Sequence, residues 1–369
     1  MKNLKTTKKD TMSLAQLRRK IDATDRDLLR LLNERTGLSE QVGAIKRASG
    51  SAVFAPHREE ILLRQLVKRN RGPLDHTALR AIYREILSAS RARQKRLTVG
   101  YLGPAGTYSH QSALERFGSS DRFVPCRSIP EVFALLSCGE ADACVVPVAN
   151  SIEGGVSATL DMLMNTDLVI CGEIYQRIRH VLAAAADTAD GDLKKIYSHP
   201  QALGQCRQWL LRHLPNAEQL ETSSTSQAAQ LAKQDADSGA IASAFAAKLY
   251  GLKVWHTNIQ DVARNQTRFV ILSRQLPAPS GDDKTSLLFA VPHEIGSLND
   301  VLKLFAEHRI NLQKIESRPS AHKEWEYLFF VDVNGHCQQP KLRRAFALIQ
   351  KKTLWLKVLG SYPQAQNHG

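Results

Sequence analysis

The sequence lacks the signals of several specialised protein classes. Its six cysteines show neither CxxC pairs nor another spacing typical of metal or redox sites. No apolar run approaches the roughly 18 residues that a membrane-spanning helix needs. The lysine-rich residues 1–10 have no apolar segment like that of a secretory signal. Because the cysteines lie mostly in apolar surroundings, we expect reduced thiols in a cytoplasmic protein with no metal centre and no membrane partner.

Aromatic residues are also scarce, at 6% of a 369-residue chain whose length predicts two or three domains. The net charge of +14 is concentrated in residues 1–96, which hold about 23 Lys and Arg against about 10 Asp and Glu. Such a basic region can bind nucleic acid, form a solvated surface or hold a small polyanion. Phe54 and Tyr83 are its only aromatic residues. Bases would therefore have little to stack on, and nucleic-acid binding is disfavoured.

Residues 1–96 predict an all-α domain. Ser13 and Gln16 form a capping box that begins a helix continuing to about Arg47, Pro56 suits the start of a second helix, and Asp75 caps a third. The first helix has a heptad-like apolar stripe of Leu14, Leu17, Ile21, Leu28, Leu31, Leu38, Val42 and Ile45. A helix of roughly 50 Å cannot bury such a stripe alone, so we expect it to pack against a partner chain.

Arg35 falls on this stripe where an apolar residue is expected, and Lys46 lies on the same face eleven residues further on. A buried guanidinium without a counter-charge costs several kcal/mol. Two long cationic side chains leaning together would leave a gap for a small dianion. Alternatively, Arg35 extends to solvent. The pattern alone favours neither interpretation.

This segment resembles the all-helical chorismate mutase family, in which two chains intertwine. The residues with the family's spacing are Arg18, Arg35, Lys46, Arg58, Glu59, Ser90 and Gln94. The resemblance implies rearrangement of chorismate to prephenate without a cofactor. It implies these roles: Lys46 and Gln94 donate to the ether oxygen, Glu59 accepts from the ring hydroxyl, and Arg18 of the partner chain, Arg35, Arg58 and Ser90 bind substrate. One difference is Ala55, where some relatives have an acidic residue.

Residues 97–276 predict an α/β domain with mostly parallel sheets, because strand-like and helix-like stretches alternate. The motif GPAGTYSH at 103–110 lies between a predicted strand and a predicted helix, an arrangement that can bind an anion. Further polar clusters at 150–155, 198–201, 222–226 and 267–269 follow or begin predicted elements. Each alone could be a turn or a helix cap.

Together these motifs resemble prephenate dehydratase over the whole span. The resemblance implies two α/β lobes like those of type II binding proteins, with prephenate in the cleft and phenylpyruvate, CO2 and water as products. It implies Thr267 as proton donor or relay, assisted by water or Arg268, with Asn150 beside it. The other implied substrate-binding residues are Thr107, Ser198 and Gln205. Where the family usually has Glu before this Asn, the chain has Ala149.

A Pro- and Gly-rich linker at 277–283 precedes a β-α-β-β-α-β pattern, which predicts a ferredoxin-like domain over 284–366. Its motifs resemble those of the ACT domain, which binds phenylalanine between paired domains. The implied effector residues are Gly296, Ser297, Leu298, Asn311, Glu316, Ser317, Arg318 and Pro319. Alternatively, Gly296 is only a turn before a helix.

The three resemblances cover nearly the whole chain, with boundaries at 1–96, 97–276 and 284–366. They predict a bifunctional chorismate mutase–prephenate dehydratase that is inhibited by phenylalanine and forms a homodimer, with pairing into tetramers left open. One alternative is arogenate as the substrate of the second reaction. Another is an amino-acid sensor built on degenerate enzyme domains, which Ala149 favours and the retained Arg35, Lys46 and Thr267 oppose.

Overall fold

The computed structural model describes residues 12–50, 53–188, 193–319 and 327–365. Within them, no helix is both long enough and apolar enough to cross a bilayer. No three His, Cys, Asp or Glu side chains of this part lie close enough together to hold a metal ion. The chain forms a helical region, a two-lobed α/β region and a C-terminal α+β region, in the predicted order.

The helical region consists of α1 (Leu14–Ala48), α2 (Pro56–Arg69) and α3 (His76–Gln94). The predicted capping box at Ser13 and the Asp75 cap are both present. Helix α1 crosses α3 at Gly43, where a Cβ atom would lie 2.7 Å from Gln94 Cγ. Ten large apolar side chains of α1 are exposed: Leu14, Leu17, Ile21, Leu28, Leu29, Leu31, Leu32, Leu38, Val42 and Ile45. We call these ten side chains the α1 stripe; within the described part of one chain they remain largely uncovered.

The first α/β lobe begins with eight elements. They are β1 (Thr98–Leu102), α4 (Tyr108–Phe117), β2 (Arg122–Cys126), α5 (Ile129–Ser137), β3 (Ala143–Asn150), β4 (Gly154–Gly155), α6 (Ser157–Met164) and β5 (Val169–Arg177). The second lobe follows. It contains β6 (Val181–Ala184), β7 (Lys195–Ser198), α7 (Pro200–Gln205), α8 (Arg207–His213), β8 (Glu218–Glu221), α9 (Thr225–Ala232), β9 (Ser238–Ala242), α10 (Ala244–Tyr250) and β10 (Lys253–Thr257). Strand β11 (Gln266–Ser273) then returns to the first lobe.

The prediction of mostly parallel sheets was wrong. The first sheet has the order β2-β1-β3-β11-β5 and the second β10-β6-β9-β7-β8. Strand β11 runs antiparallel to both β3 and β5. The reason is topological: β5 leads out toward the second lobe and β11 enters from it, so the two must run in opposite directions. The apolar pattern of residues 201–214 predicts a single helix, but the structure has two short helices there, interrupted at Cys206.

The C-terminal region has the predicted β-α-β-β-α-β order. Its elements are β12 (Asp283–Ala290), α11 (Ser297–Glu307), β13 (Leu312–Pro319), β14 (Tyr327–Asn334), α12 (Pro340–Ile349) and β15 (Trp355–Pro363). The sheet order is β13-β14-β12-β15, with antiparallel neighbours. This arrangement is ferredoxin-like.

The C-terminal sheet is buried on both faces. Side chains such as Phe289 and Val331 pack with α11 and α12, whereas Leu288 and Phe330 on the other face share one core with Val270 of the first lobe. Burial of this kind contributes about 25 cal/mol for each Å2 of apolar surface removed from water. The C-terminal region is therefore docked on the α/β region by a continuous hydrophobic interface.

Candidate active sites

A cleft with a volume of about 260 Å3 lies between the two α/β lobes. Both lobes contribute to its lining, which includes Thr107, Tyr108, Asn150, His180, Gln205, Ser224, Asn265 and Thr267. The N-termini of α4 and α9 both open on it, capped by Thr107 and Ser224. Unpaired N–H groups and the positive end of the helix dipole favour an anion at such positions. The cleft is therefore suited to a small, negatively charged substrate.

A chain of side-chain hydrogen bonds connects the lobes across this cleft. Asn150 Nδ2 donates to Thr267 Oγ1 at 2.9 Å and to Asn265 Oδ1 at 2.8 Å. Asn265 Nδ2 in turn donates to Gln205 Oε1 at 3.0 Å. Since Thr267 accepts the Asn150 bond and no acceptor for its own O–H is found in the described residues, this proton is available to a ligand.

His180 ends this chain and was not predicted from the sequence. Its Nε2 lies 3.0 Å from Gln205 Oε1, which assigns the proton to Nε2 because an amide oxygen can only accept. Burial lowers the pKa of His180, and the Gln205 bond only partly opposes this. The imidazole is therefore neutral near pH 7 and contributes no positive charge to the cleft.

Two of the predicted cleft residues, Ser198 and Thr107, form side-chain hydrogen bonds to backbone carbonyl groups. Ser198, predicted as a substrate contact, is fully buried, and its Oγ donates to the Ile241 carbonyl at 2.7 Å. This hydrogen bond links β7 to β9. Thr107 lines the cleft, but its hydroxyl donates to the Leu102 carbonyl at 2.9 Å. Thr107 therefore orients the start of α4.

Arg268, predicted as relay and substrate ligand, does not reach the cleft in this structure. Successive side chains of a strand point to opposite faces, so Arg268 points away from the face that carries Thr267. Its guanidinium instead meets Glu173 of β5, Asp332 of β14 and Tyr362 of β15. Ala149 likewise lies on the side opposite Asn150 and lines another cavity with Arg268. A glutamate at position 149 would therefore not point into the cleft.

The helical region brings three of its predicted residues together between α1 and α3. Arg35 Nη1 donates to Ser90 Oγ at 2.5 Å, and Gln94 Nε2 donates to Ser39 Oγ at 2.6 Å. No carboxylate in the described residues forms an ion pair with the half-buried Arg35, so its charge remains available to an anion. Gln94 retains one N–H for a ligand.

Lys46 and Arg18 lie further away along α1. Lys46 Nζ donates to the Val53 carbonyl at 3.2 Å. Burial lowers its pKa and Arg58 lowers it further, against an opposing effect of Glu59. Arg18 is exposed and precedes Lys46 by 28 positions, or about 42 Å of helix. The two side chains of one chain therefore cannot share a small ligand.

Glu59, predicted to accept from a substrate hydroxyl, is engaged by two arginines in this structure. Its carboxylate is held by Arg91 at 2.5 Å and by Arg116 of α4 at 2.8 Å. Burial alone would raise the pKa of Glu59, but the two guanidinium groups outweigh it and hold the pKa below its usual value. Successive residues of a helix point about 100° apart. Glu59 therefore faces the junction with the α/β region, while Arg58 is exposed.

The predicted effector motifs around Gly296 and at the end of β13 lie at one end of the C-terminal region, whereas Asn311 precedes β13 and lies at its other end. Strands β12 and β13 both run antiparallel to β14, so β13 ends where α11 begins. Gly296 caps α11 with a φ of +86°, which favours glycine, and Asn311 and Ser317 are exposed. By contrast, the side chains of Arg318 and Glu316 on β13 form ion pairs. Arg318 binds Asp161 of α6 at 2.7 and 3.2 Å, and Glu316 pairs with Lys314 at 2.7 Å.

Anion-binding residues in two separate regions, with a compact α+β region docked on the second, define a multidomain enzyme that acts on small anionic compounds. The chorismate mutase type II family matches residues 17–95, prephenate dehydratase matches 99–276 and the ACT domain matches 285–347. The chain belongs to the family of bifunctional chorismate mutase/prephenate dehydratases. The corresponding protein of Aquifex aeolicus is 44% identical over 95% of this chain and 98% of its own length.

Two further comparisons agree with this membership. The bifunctional enzyme of Stutzerimonas stutzeri is 42% identical over 95% of this chain and 98% of its own length. A prephenate dehydratase of Arthrobacter aurescens, solved in complex with L-Phe, matches with a TM-score of 0.67 and 35% identity. That match covers 74% of this chain and 91% of the other. The chain is thus an enzyme with a mutase and a dehydratase domain, and we use these names for its regions below.

Proposed function

We propose that one chain carries both reactions, with chorismate rearranged between the mutase helices and prephenate decarboxylated and dehydrated in the cleft. The observation that carries this proposal is the Asn150–Thr267 pair in a cleft that two helix N-termini face. The free cysteines are consistent with a reducing, cytoplasmic setting.

The mutase reaction needs no group transfer, so its residues bind, orient and stabilise charge. Arg35 has no ion-pair partner in the described residues and would bind a carboxylate beside Ser90. Lys46 and the spare N–H of Gln94 would donate to the ether oxygen as its bond to carbon breaks. Arg58, being exposed, is free to turn toward the substrate.

We further propose that two chains intertwine through the α1 stripe and that each mutase site takes Arg18 from the partner. The stripe is apolar but exposed, and Arg18 is too far from Lys46 to act in its own chain. An in vitro mixture of Arg18→Ala and Lys46→Ala chains, unfolded and refolded together, tests this. Shared sites predict recovery of about a quarter of the wild-type mutase rate, since half of the dimers are mixed and each of these has one intact site. No recovery would mean that the mutase sites are not shared between the two chains in this way.

In the dehydratase cleft, the helix N-termini would bind the substrate's carboxylates. Loss of CO2 leaves an electron pair that forms the aromatic ring and expels the ring hydroxyl. Thr267 O–H would donate to this leaving hydroxyl, while Asn150 Nδ2 holds Thr267 Oγ1 in place. The hydroxyl leaves as water. Because Arg268 faces away, a water molecule in the cleft would relay a proton from solvent to Thr267, so each turnover consumes one solvent proton.

The direct experiment supplies purified enzyme with chorismate and follows prephenate and phenylpyruvate over time. We expect transient prephenate followed by phenylpyruvate. Accumulation of prephenate without phenylpyruvate would contradict the dehydratase assignment, and no consumption of chorismate would contradict the mutase assignment.

We also propose phenylalanine as the effector, bound near Gly296 and Ser317, where α11 begins and β13 ends. The Arthrobacter enzyme, solved with L-Phe, and the ACT family match support this proposal. Ser317→Ala should weaken inhibition by phenylalanine without changing the uninhibited rate. Arg344→Ala, an exposed change on α12 of the same domain, is the control. If phenylalanine inhibits both variants and the wild type equally, the effector does not bind at Ser317.

A further inference from the structure

A buried ionic cluster joins the dehydratase domain to the C-terminal domain directly behind the cleft. The dehydratase domain contributes Arg268 and Glu173, and the C-terminal domain contributes Lys284, Asp332 and Tyr362. All five residues are at most 8% exposed. We call these residues the Arg268 cluster.

The contacts of the cluster leave no charge without a partner. Lys284 Nζ lies 2.8 Å from Glu173 Oε1, and Arg268 Nε lies 2.9 Å from Glu173 Oε2. Arg268 also donates to Asp332 and, at 2.7 Å, to Tyr362. Two cations thus balance two anions, which offsets the cost of burying them. Ser286 completes the cluster by donating to Asp332 at 2.5 Å.

The position of Arg268 along the chain connects this cluster to the reaction. Thr267, the preceding residue, faces the cleft from the same strand. The pairing of β11 with β3 is irregular next to Arg268, where β3 has one extra residue, Val148, between the partners of Arg268 and Phe269. A β-bulge redirects the side chains beside it, so the direction of Thr267 depends on how the neighbouring backbone is held. Two of the three side chains that bind the Arg268 guanidinium are Asp332 of β14 and Tyr362 of β15, both in the C-terminal domain.

We propose that Arg268 is a positioning residue, through which the C-terminal domain fixes the direction of the Thr267 hydroxyl. Asp332 and Tyr362 are the contacts by which that domain acts. The inference rests on the proposed dehydratase function. According to this proposal, the C-terminal domain helps to hold the Thr267 hydroxyl in the direction that the reaction needs.

Asp332→Asn in the full-length enzyme tests this proposal. The substitution removes the carboxylate that faces Arg268 but leaves the cleft residues unchanged. We expect the dehydratase kcat to fall by about tenfold to a hundredfold, with KM for prephenate changed less than about threefold, because a small misplacement of a reacting group has effects of this size. The mutase kcat of the same preparation should be unchanged and serves as the internal control of folding.

Asp161→Asn is the matched control, since it breaks another ion pair between the same domains, that with Arg318. If the cluster only held the domains together, both variants would have similar dehydratase rates. A dehydratase kcat of Asp332→Asn within twofold of that of Asp161→Asn would overturn the proposal. A loss of kcat confined to Asp332→Asn would support it.

Tyr362→Phe provides a test that leaves no unpaired charge, for the case that Asp332→Asn also lowers the mutase rate. It removes the 2.7 Å bond to Arg268, and we expect about a threefold to tenfold fall in dehydratase kcat. An unchanged kcat in this variant would then overturn the proposal. An inactive wild-type dehydratase would instead contradict the proposed function itself.

A double variant separates positioning from simple loss of charge. Arg268→Gln and Asp332→Asn remove the two partners of one contact, so their effects on the dehydratase kcat should not add: the double variant should be about as slow as Arg268→Gln alone. Multiplying effects would mean that the two residues act independently, which would also overturn the proposal.

Discussion

The mutase domain and the dehydratase domain differ in how much of a site one chain can build. In the mutase domain ten large apolar side chains of α1 are exposed, and the predicted site residues extend over about 42 Å of helix. The dehydratase cleft is bounded by two lobes of the same chain, and its side chains are joined by hydrogen bonds of 2.8–3.0 Å. A long helix presents its residues along a line, whereas facing lobes converge on one point. The mutase site therefore needs the partner chain that we propose, whereas the dehydratase cleft is complete within one chain.

The largest effect should come from Thr267→Ala, which removes the hydroxyl of the self-contained site. We expect the dehydratase kcat to fall by about 10²–10⁴-fold, the usual contribution of a positioned proton donor, with the mutase rate unchanged. Steady-state assays of both reactions on one preparation measure this. Thr267→Ser keeps the hydroxyl and should retain most of the activity; a serine variant as slow as the alanine variant would contradict the role of the O–H group.

Lys46→Ala should produce the opposite pattern. Loss of the cation that stabilises the ether oxygen should lower the mutase kcat by about 10²–10³-fold and leave the dehydratase rate intact. A fall in both rates would mean that the two sites are not separate. The wild-type mutase should also lose activity as pH rises through a pKa below 10.5, since burial and Arg58 make Lys46 release its proton earlier than usual.

Leu28→Asp tests the dependence of the mutase on a partner. Each leucine buried at an interface contributes about 1.5–3 kcal/mol, so a charge on the α1 stripe should dissociate the dimer and lower the mutase rate by tenfold or more at dilute concentration. Analytical ultracentrifugation and the two assays measure this. Leu211→Asp is the control, since Leu211 of the second lobe is 57% exposed and Leu28 is 51% exposed. The idea is wrong if both variants sediment as the wild type does.

We expect the smallest effect from His180 of the cleft, on how the stability of the protein depends on pH. Because burial depresses the pKa of His180, the unfolded chain binds a proton near pH 6.5 that the folded chain does not. Stability should therefore fall as pH drops from about 7 toward 5. His180→Gln should reduce the accompanying fall in Tm by a few degrees, as measured by calorimetry at each pH. Identical pH profiles for variant and wild type would show that His180 titrates normally.

Much of the architecture could be predicted from local pattern. The start of α1 was predicted from the capping box at Ser13, and the bounds of α5 and α10 agree with the apolar periodicity. Strand direction could not be predicted in this way, because it depends on which lobe the chain comes from. The strand β8 and the short β4 carry little apolar pattern and were not predicted.

The candidate sites show the same division. Motif order indicated Asn150, Gln205 and Thr267, which do meet in the cleft. The alternation of a strand could also have excluded Arg268 and indicated Asn265, which lies two positions before Thr267 and on its side. His180 has no comparable signal, because it reaches the cleft only through the pairing of the lobes. The two ion pairs of Glu59 could not be predicted, since its arginines come from α3 and from another domain.

The amino-acid sequence by itself determined most of the helices and strands, the order of the three domains and the chemical types at both sites, because these follow from periodicity, caps and motif spacing within short stretches. Tertiary structure alone decided which charges meet. A guanidinium is bound by whichever carboxylate folding brings within about 3 Å. For Arg268 that carboxylate lies 64 positions away in Asp332, and for Arg116 it lies 57 positions away in Glu59. Local pattern contains no information about contacts of that range.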